Sequence, residues 1–231
     1  MKYVGFCDVL GFSSAVLHNF EATIALYKEF GASIRSGLLP KRAQVSVYSD
    51  SILIVADDLP SVVNTVVPLY WAALRQDWLI RGGFAYGKYW EERDDGNLFV
   101  VSDALVKAVH LEKTIKVPAV VVSDEIPLGI EAWMPRFQHG ATNAPLLHYQ
   151  GLNIVNPFNP YWFNSAATRA KRLLELHPNH TEKYEWFLSL AKAVAMDDIL
   201  IPQQSLDRML ELGVLTKRPE ASDPPAPPSE G

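Results

Sequence analysis

Two carboxylates draw attention by where they fall. Asp8 ends an apolar run, Tyr3 to Val9, and Asp50 sits in the polar joint Tyr48-Ser49-Asp50-Ser51 between two β-branched runs. Behind Asp8 comes a glycine turn, Gly11-Phe12-Ser13, and then an amphipathic stretch whose expected N-cap is Ser13 or Ser14. A helix N-terminus offers unbonded N–H groups and a positive dipole end, both suited to a phosphate. A carboxylate one turn earlier could hold the divalent cation that a phosphate carries. Read singly, each acid is a cap or a turn residue. Read together they suggest a metal, because two carboxylates within a few ångströms repel unless a cation lies between them. Two hard cations about 3.5–4 Å apart can activate a hydroxyl and stabilise a leaving phosphate.

The elements that would position these acids follow from periodicity. Tyr3 to Val9 reads as a buried strand. Ser14 to about Leu39 carries an apolar stripe (Val16, Leu17, Phe20, Ile24, Leu26, Tyr27, Phe30) and reads as one helix closed by Pro40. Ala43 to Tyr48 and Ser51 to Ala56 form a predicted hairpin with Asp50 at its tip. Strand alternation puts Ser46, Tyr48 and Asp50 on one face. A second helix is expected from Leu59 to Arg75, with a kink at Pro68. A glycine-rich strand, Trp78 to Gly87, is followed by a charged turn over Glu91 to Gly96, a third helix from Val101 to Lys113, and a strand from Val117 to Ser123.

Beyond Asp124 the signals mix. One more strand is expected within Leu146 to Val155, then helices near Trp162 to Leu176, Thr181 to Ala195 and Gln203 to Leu212. The sequence thus divides into a predicted domain over 1–160, a C-terminal helical extension over 161–216, and a proline-rich, acidic stretch over 217–231 with no apolar anchor, expected to be disordered. The order β-α-β-β-α-β-α-β predicts an α+β fold of ferredoxin-like type, an antiparallel-rich sheet with helices packed on one face. In that arrangement the first strand neighbours the hairpin, so Asp8 and Asp50 converge.

Composition bounds the function. The 231 residues are 48% hydrophobic, ample for a core, and the net charge of −5 argues against bulk attraction to nucleic acid or anionic membrane. The single cysteine, Cys7, lies in the first strand and cannot form an internal disulfide, which fits a reducing cytoplasm. The apolar run Val62 to Leu74 is too short to span a bilayer. The six histidines show no metal spacing.

The segment Phe6-Cys7-Asp8-Val9-Leu10-Gly11-Phe12-Ser13 resembles the metal-binding strand and phosphate turn of class III nucleotidyl cyclases. Tyr48-Ser49-Asp50-Ser51 resembles their second metal-aspartate hairpin, and Ile80-Arg81-Gly82-Gly83-Phe84-Ala85-Tyr86-Gly87 their following R-x-G-x-x-x-G strand. The resemblance covers roughly residues 1 to 125 and is nearest to the pyrimidine cyclases of bacterial Pycsar antiphage systems. It implies conversion of UTP or CTP to a 3′,5′-cyclic monophosphate in a homodimer with composite sites. The cofactor implied is Mn²⁺ or Mg²⁺, two per site, and the product would act on a separate cyclic-nucleotide effector. Carried over residue by residue, it implies Asp8, Val9 and Asp50 as metal-binding. Asp8, Asp50 and Arg81 would be catalytic, and Phe6, Gly11, Phe12, Ser13, Ser46 and Tyr48 would contact substrate. One departure is plain: Val106 and His110 stand where purine cyclases carry an Asn and an Arg, which leaves Arg81, Lys107 or Lys113 to supply positive charge.

Overall fold

The computed structural model describes residues 1–38 and 42–216. Strand β1 (Lys2–Leu10) is central, and α1 (Phe12–His18) and α2 (Phe20–Ser33) follow it. The expected single helix is broken at Asn19, whose side chain accepts a hydrogen bond from Ala22 N at 3.1 Å and caps α2. A π-helical turn spans Ile34–Leu38. Pro40, the expected stop, lies outside the described residues. The hairpin forms as predicted from β2 (Ala43–Tyr48) and β3 (Ser51–Ala56). Helix α3 (Leu59–Arg75) begins on Asp58, whose carboxylate accepts from Ser61 N, and runs through Pro68.

After β4 (Leu79–Gly87) the structure departs from the expected charged turn. Tyr89–Asp94 and Asn97–Ser102 form a separate hairpin, β5 and β6, turning through Asp95 and Gly96, both at positive φ. Helix α4 (Asp103–Thr114) and strand β7 (Val120–Val122) come next. After the short α5 (Met134–His139), the one strand expected over 146–155 is instead a second hairpin, β8 (Leu146–Tyr149) and β9 (Leu152–Val155). Helices α6 (Phe163–Leu176), α7 (Thr181–Ala195) and α8 (Gln203–Glu211) complete the described chain. The stretch expected to be disordered, from residue 217, lies outside it.

The main sheet has seven strands in the order β2-β3-β1-β4-β7-β9-β8, antiparallel except between β4 and β7. This is the α+β, antiparallel-rich architecture that the sequence predicts. Pairing fixes which residues share a face. Cys7, Val9, Ile52, Ile54 and Phe84 point into one large core that also contains residues of α3, α6, α7 and α8. Val4, Leu53 and Val55 point the other way, against Ala104 of α4. Helices therefore cover both faces, whereas the sequence reading placed them on one.

The approach of α4 is close because β4 carries glycine where they meet. A Cβ on Gly83 would stand 2.5 Å from Leu111 Cβ and 2.7 Å from Ala108 O. Gly83→Ala is therefore expected to push α4 off the sheet, destabilising the fold by about 1–3 kcal/mol, the usual cost of overpacking. A urea unfolding midpoint equal to that of the wild type would contradict this contact.

Candidate active site

Asp8 lies near the end of β1 with its side chain on the α4 face, in register with Ser51 on one side and Arg81 on the other. Asp50 lies in the two-residue turn between β2 and β3, after Ser49 at φ 57°. The turn is tied to β1 directly: Val9 N–H donates to the Asp50 carbonyl at 2.9 Å. The Asp50 carboxylate in turn accepts from the Ser13 hydroxyl at 2.9 Å. Three of the predicted residues, Asp8, Asp50 and Ser13, are thus brought to one corner by main-chain pairing and a single side-chain bond.

The turn itself differs from expectation in one respect. Gly11, at φ 87°, is the N-cap of α1, the helix starts at Phe12, and no side chain caps it. Ser13 is drawn to Asp50 instead. The first N–H groups of α1 are therefore left without a side-chain acceptor. Phe12 itself is buried, its ring against Tyr27 and Trp78, so only its main chain could face a ligand.

Registers across β2, β3, β1 and β4 align two rows on the α4 face: Tyr48, Ser51, Asp8, Arg81 and, next to it, Ser46, Leu53, Phe6, Gly83. Ser46 and Tyr48 therefore share their face with Asp8 and Phe6. The expected alternation of both with Asp50 fails because Asp50 belongs to the turn. Tyr48 is 54% exposed on the edge strand rather than packed in a helix layer.

Arg81 is already engaged. Its Nη2 lies 2.5 Å from Glu112 Oε1 and 3.4 Å from Asp8 Oδ2. Glu112 is buried, on the same side of α4 as Ala104 and Ala108. Of the other basic candidates, Lys107 pairs with Glu125 and Lys113 is exposed. Val106 and His110 are also exposed, on the side of α4 turned away from its own sheet.

Burial, and then the charge of Asp50, push the Asp8 carboxyl above its ordinary range; Arg81 pulls it down, Glu112 pushes it up, and Lys183 on α7 pulls it down. Ionised Asp8 is thus disfavoured by its surroundings, a condition that a cation relieves. The donors on offer are hard oxygens, which suit Mg²⁺ or Mn²⁺. Among the described residues no group of three or more His, Cys, Asp and Glu gathers into a metal-binding cluster. Such cations need no all-protein cage, since they keep water and take phosphate oxygens as ligands. The residues fit the cation. Glu112 is the site neighbour that sequence reasoning missed. For Glu112 the signal was present: an acid spaced four residues after Ala108 and eight after Ala104 falls on the buried side of the helix and must find a partner.

No family model matches the chain, and no curated protein matches it. Among solved structures it is similar to the adenylyl cyclase CyaB from P. aeruginosa, at 17% identity and a TM-score of 0.43 over 54% of this chain and 76% of that one. It is similar to the guanylyl cyclase Cya2 at 11% identity and a TM-score of 0.45 over 69% and 94%. A class III adenylyl cyclase-like ATP-binding protein from Pseudomonas aeruginosa gives 9% identity and 0.45 over 73% and 40%. At these values the chain's activity has to be argued from its own residues.

The raised Asp8 carboxyl makes a thermodynamic prediction. A group that titrates higher in the fold than in the unfolded chain opposes folding when ionised, fully above its folded value, and the cost fades as pH falls towards the unfolded value. Metal-free Asp8→Asn should therefore melt at or above the wild-type temperature at neutral pH, with the difference shrinking on acidification. Thermal melts in chelator across that range test it, and a clear drop in the variant at neutral pH would contradict it.

Proposed function

We propose that this chain is a metal-dependent nucleotidyl cyclase that converts UTP to 3′,5′-cyclic UMP and pyrophosphate. The observation that carries the reading is the corner itself: Asp8 on β1, Asp50 joined to it through the Val9 N–H, and Ser13 of the uncapped α1 turn bonded to Asp50. Asp8 and Asp50, with the Val9 carbonyl, would hold the cation, Mn²⁺ or Mg²⁺, two per site. When bound, it supplies positive charge that favours ionisation of the attacking 3′-hydroxyl and offsets charge on the departing pyrophosphate. In this reading the Gly11, Phe12 and Ser13 main chain faces the phosphates, and Arg81 adds a cation beside Asp8. Phe6, Ser46 and Tyr48 flank the base. The short Ser46 next to a tyrosine favours a pyrimidine, because a rigid pocket excludes an oversized ring more readily than it separates uracil from cytosine.

CTP is accordingly the alternative substrate. A nucleotide sensor without turnover is the second reading, and the engagement of Arg81 by Glu112 together with the outward-facing Val106 and His110 favours it. Incubation with each of the four nucleoside triphosphates and Mn²⁺, followed by mass spectrometry, distinguishes these readings. Cyclic UMP is expected, its yield falling by orders of magnitude in Asp50→Ala, and Tyr48→Ala should raise the share of ATP or GTP accepted. Faster turnover of ATP or GTP by the wild type would overturn the pyrimidine assignment, and nucleotide binding with no pyrophosphate release would favour the sensor.

The reading extends to assembly: a homodimer in which one protomer's acids meet basic groups of its partner, placed in the cytoplasm and making a messenger for an antiphage effector. Exposed large apolar side chains support a partner surface, namely Leu17 and Phe20 near the α1–α2 junction, Trp90, Phe99 and Val101 on the β5–β6 hairpin, and Val106 on α4. Among the described residues no helix is long and apolar enough to cross a membrane. Mixing Asp8→Ala with a variant inactivated in α4 is expected to restore part of the activity. A fully active monomer in sedimentation at assay concentration would contradict the composite site.

A further inference from the structure

The salt bridge between Arg81 and Glu112 joins the candidate cation site through Arg81, which also bonds Asp8. Arg81 directly opposes Asp8 across the β1–β4 ladder, so its guanidinium is the natural counter-ion for that acid. The guanidinium donates to Asp8 but makes its closer contact with Glu112. Nη2 is 2.5 Å from Glu112 and 3.4 Å from Asp8. Glu112 is only 6% exposed, and its carboxylate is held there by the tight seating of α4 on Gly83. A buried charge of this kind has to be paired, and Arg81 is the partner that the structure provides. The Arg81 Nε is itself buried and has no acceptor. A guanidinium that left Asp8 to meet Glu112 through Nε as well as Nη2 would satisfy that atom and form the stronger bidentate pair.

We propose that Glu112 is a positioning residue: by taking the closer contact with Arg81 it weakens that residue's hold on Asp8 and so leaves the Asp8 carboxylate available to a divalent cation. Arg81 and the cation compete for one carboxylate, and Glu112 decides the contest by offering the guanidinium a better seat. This inference rests on the cation site described under Proposed function, and it adds a residue outside the predicted set that sets how tightly that site binds.

The test is Mn²⁺ affinity, read by electron paramagnetic resonance of the free ion in titrations of the full chain with no nucleotide present. Glu112→Gln is expected to weaken Mn²⁺ binding by about tenfold, the lower end of what partners that orient metal ligands control. Arg81→Gln is expected to tighten it, since the competing cation is gone. Simple loss of a negative charge would also weaken binding in Glu112→Gln, and two further variants separate the explanations. Glu112→Asp keeps the charge but shortens the reach, so the clamp predicts weaker Mn²⁺ binding and simple electrostatics predicts no change. In an Arg81→Gln background, the clamp predicts that Glu112→Gln has little further effect, because the residue acts through Arg81; independent charges predict additive effects.

Should Glu112→Gln fail to fold, Glu112→Asp alone carries the test. Unchanged affinity in Glu112→Asp, or additivity in the double variant, would overturn the clamp while leaving the cation site standing. Absence of saturable Mn²⁺ binding by the wild type would overturn the site, and the clamp with it.

Discussion

Charge at the end of β1 is the constraint on which the rest of the structure turns. Asp8 and Glu112 share one guanidinium, that of Arg81, and Asp50 lies within electrostatic reach of Asp8. Carboxylates half out of water and close together oppose folding unless something balances them. Main-chain geometry leaves them little room to separate. Asp8 is fixed by ladders on both sides of a central strand, Asp50 by its carbonyl's bond to Val9, and Glu112 by a helix seated on glycine. The corner is therefore a preformed electronegative site whose cost is met by packing elsewhere. Perturbed carboxylates gather at functional sites and in structural ion-pair networks alike, and here both Arg81 contacts lie at the same corner.

How much of this the sequence disclosed depended on whether a signal was local. The hairpin over 43–56 was legible to the residue because β-branched alternation and a polar joint agree. The join between α1 and α2 was hidden by an apolar stripe that continues across it, although Asn19 followed by Glu21 is a helix-start signal in its own right. The stripe itself was a poor guide: Leu17 and Phe20 are exposed, and Thr23 is buried. The β5–β6 hairpin was obscured by charges over 91–95, yet Asp95-Gly96 is a strong two-residue turn signal, and the structure uses it at positive φ. Gln150-Gly151 plays the same part between β8 and β9.

The site divided along the same line. Asp8, Asp50 and the glycine turn stood out because strand ends and tight turns are short-range features. Glu112 did not, because its meaning depends on which strand α4 covers. Arg81 could be read as a ligand contact or as an ion pair, and only the location of Glu112 discloses how its charge is used. The face shared by Ser46 and Tyr48 also needed the register, since a turn residue such as Asp50 does not continue the strand's alternation.

The C-terminal helices bear on the same corner. Asp77, at φ 61° just before β4, accepts from both Arg169 and Arg172 of α6. The next residue, Trp78, packs its ring edge-on against Phe12 and Phe30, and Leu79 pairs with Leu10 at the end of β1. Helix α6 therefore anchors the start of β4, which in turn fixes the turn that presents Ser13 to Asp50. Helix α7 adds Lys183, whose charge acts on Asp8, while its Phe187 and Leu190 lie in the same apolar cluster as Cys7 and Val9. A shift of α6 would accordingly be felt at this corner through the aromatic contacts beneath the glycine turn. The helices that follow the sheet in sequence thus help to place the acids that begin it.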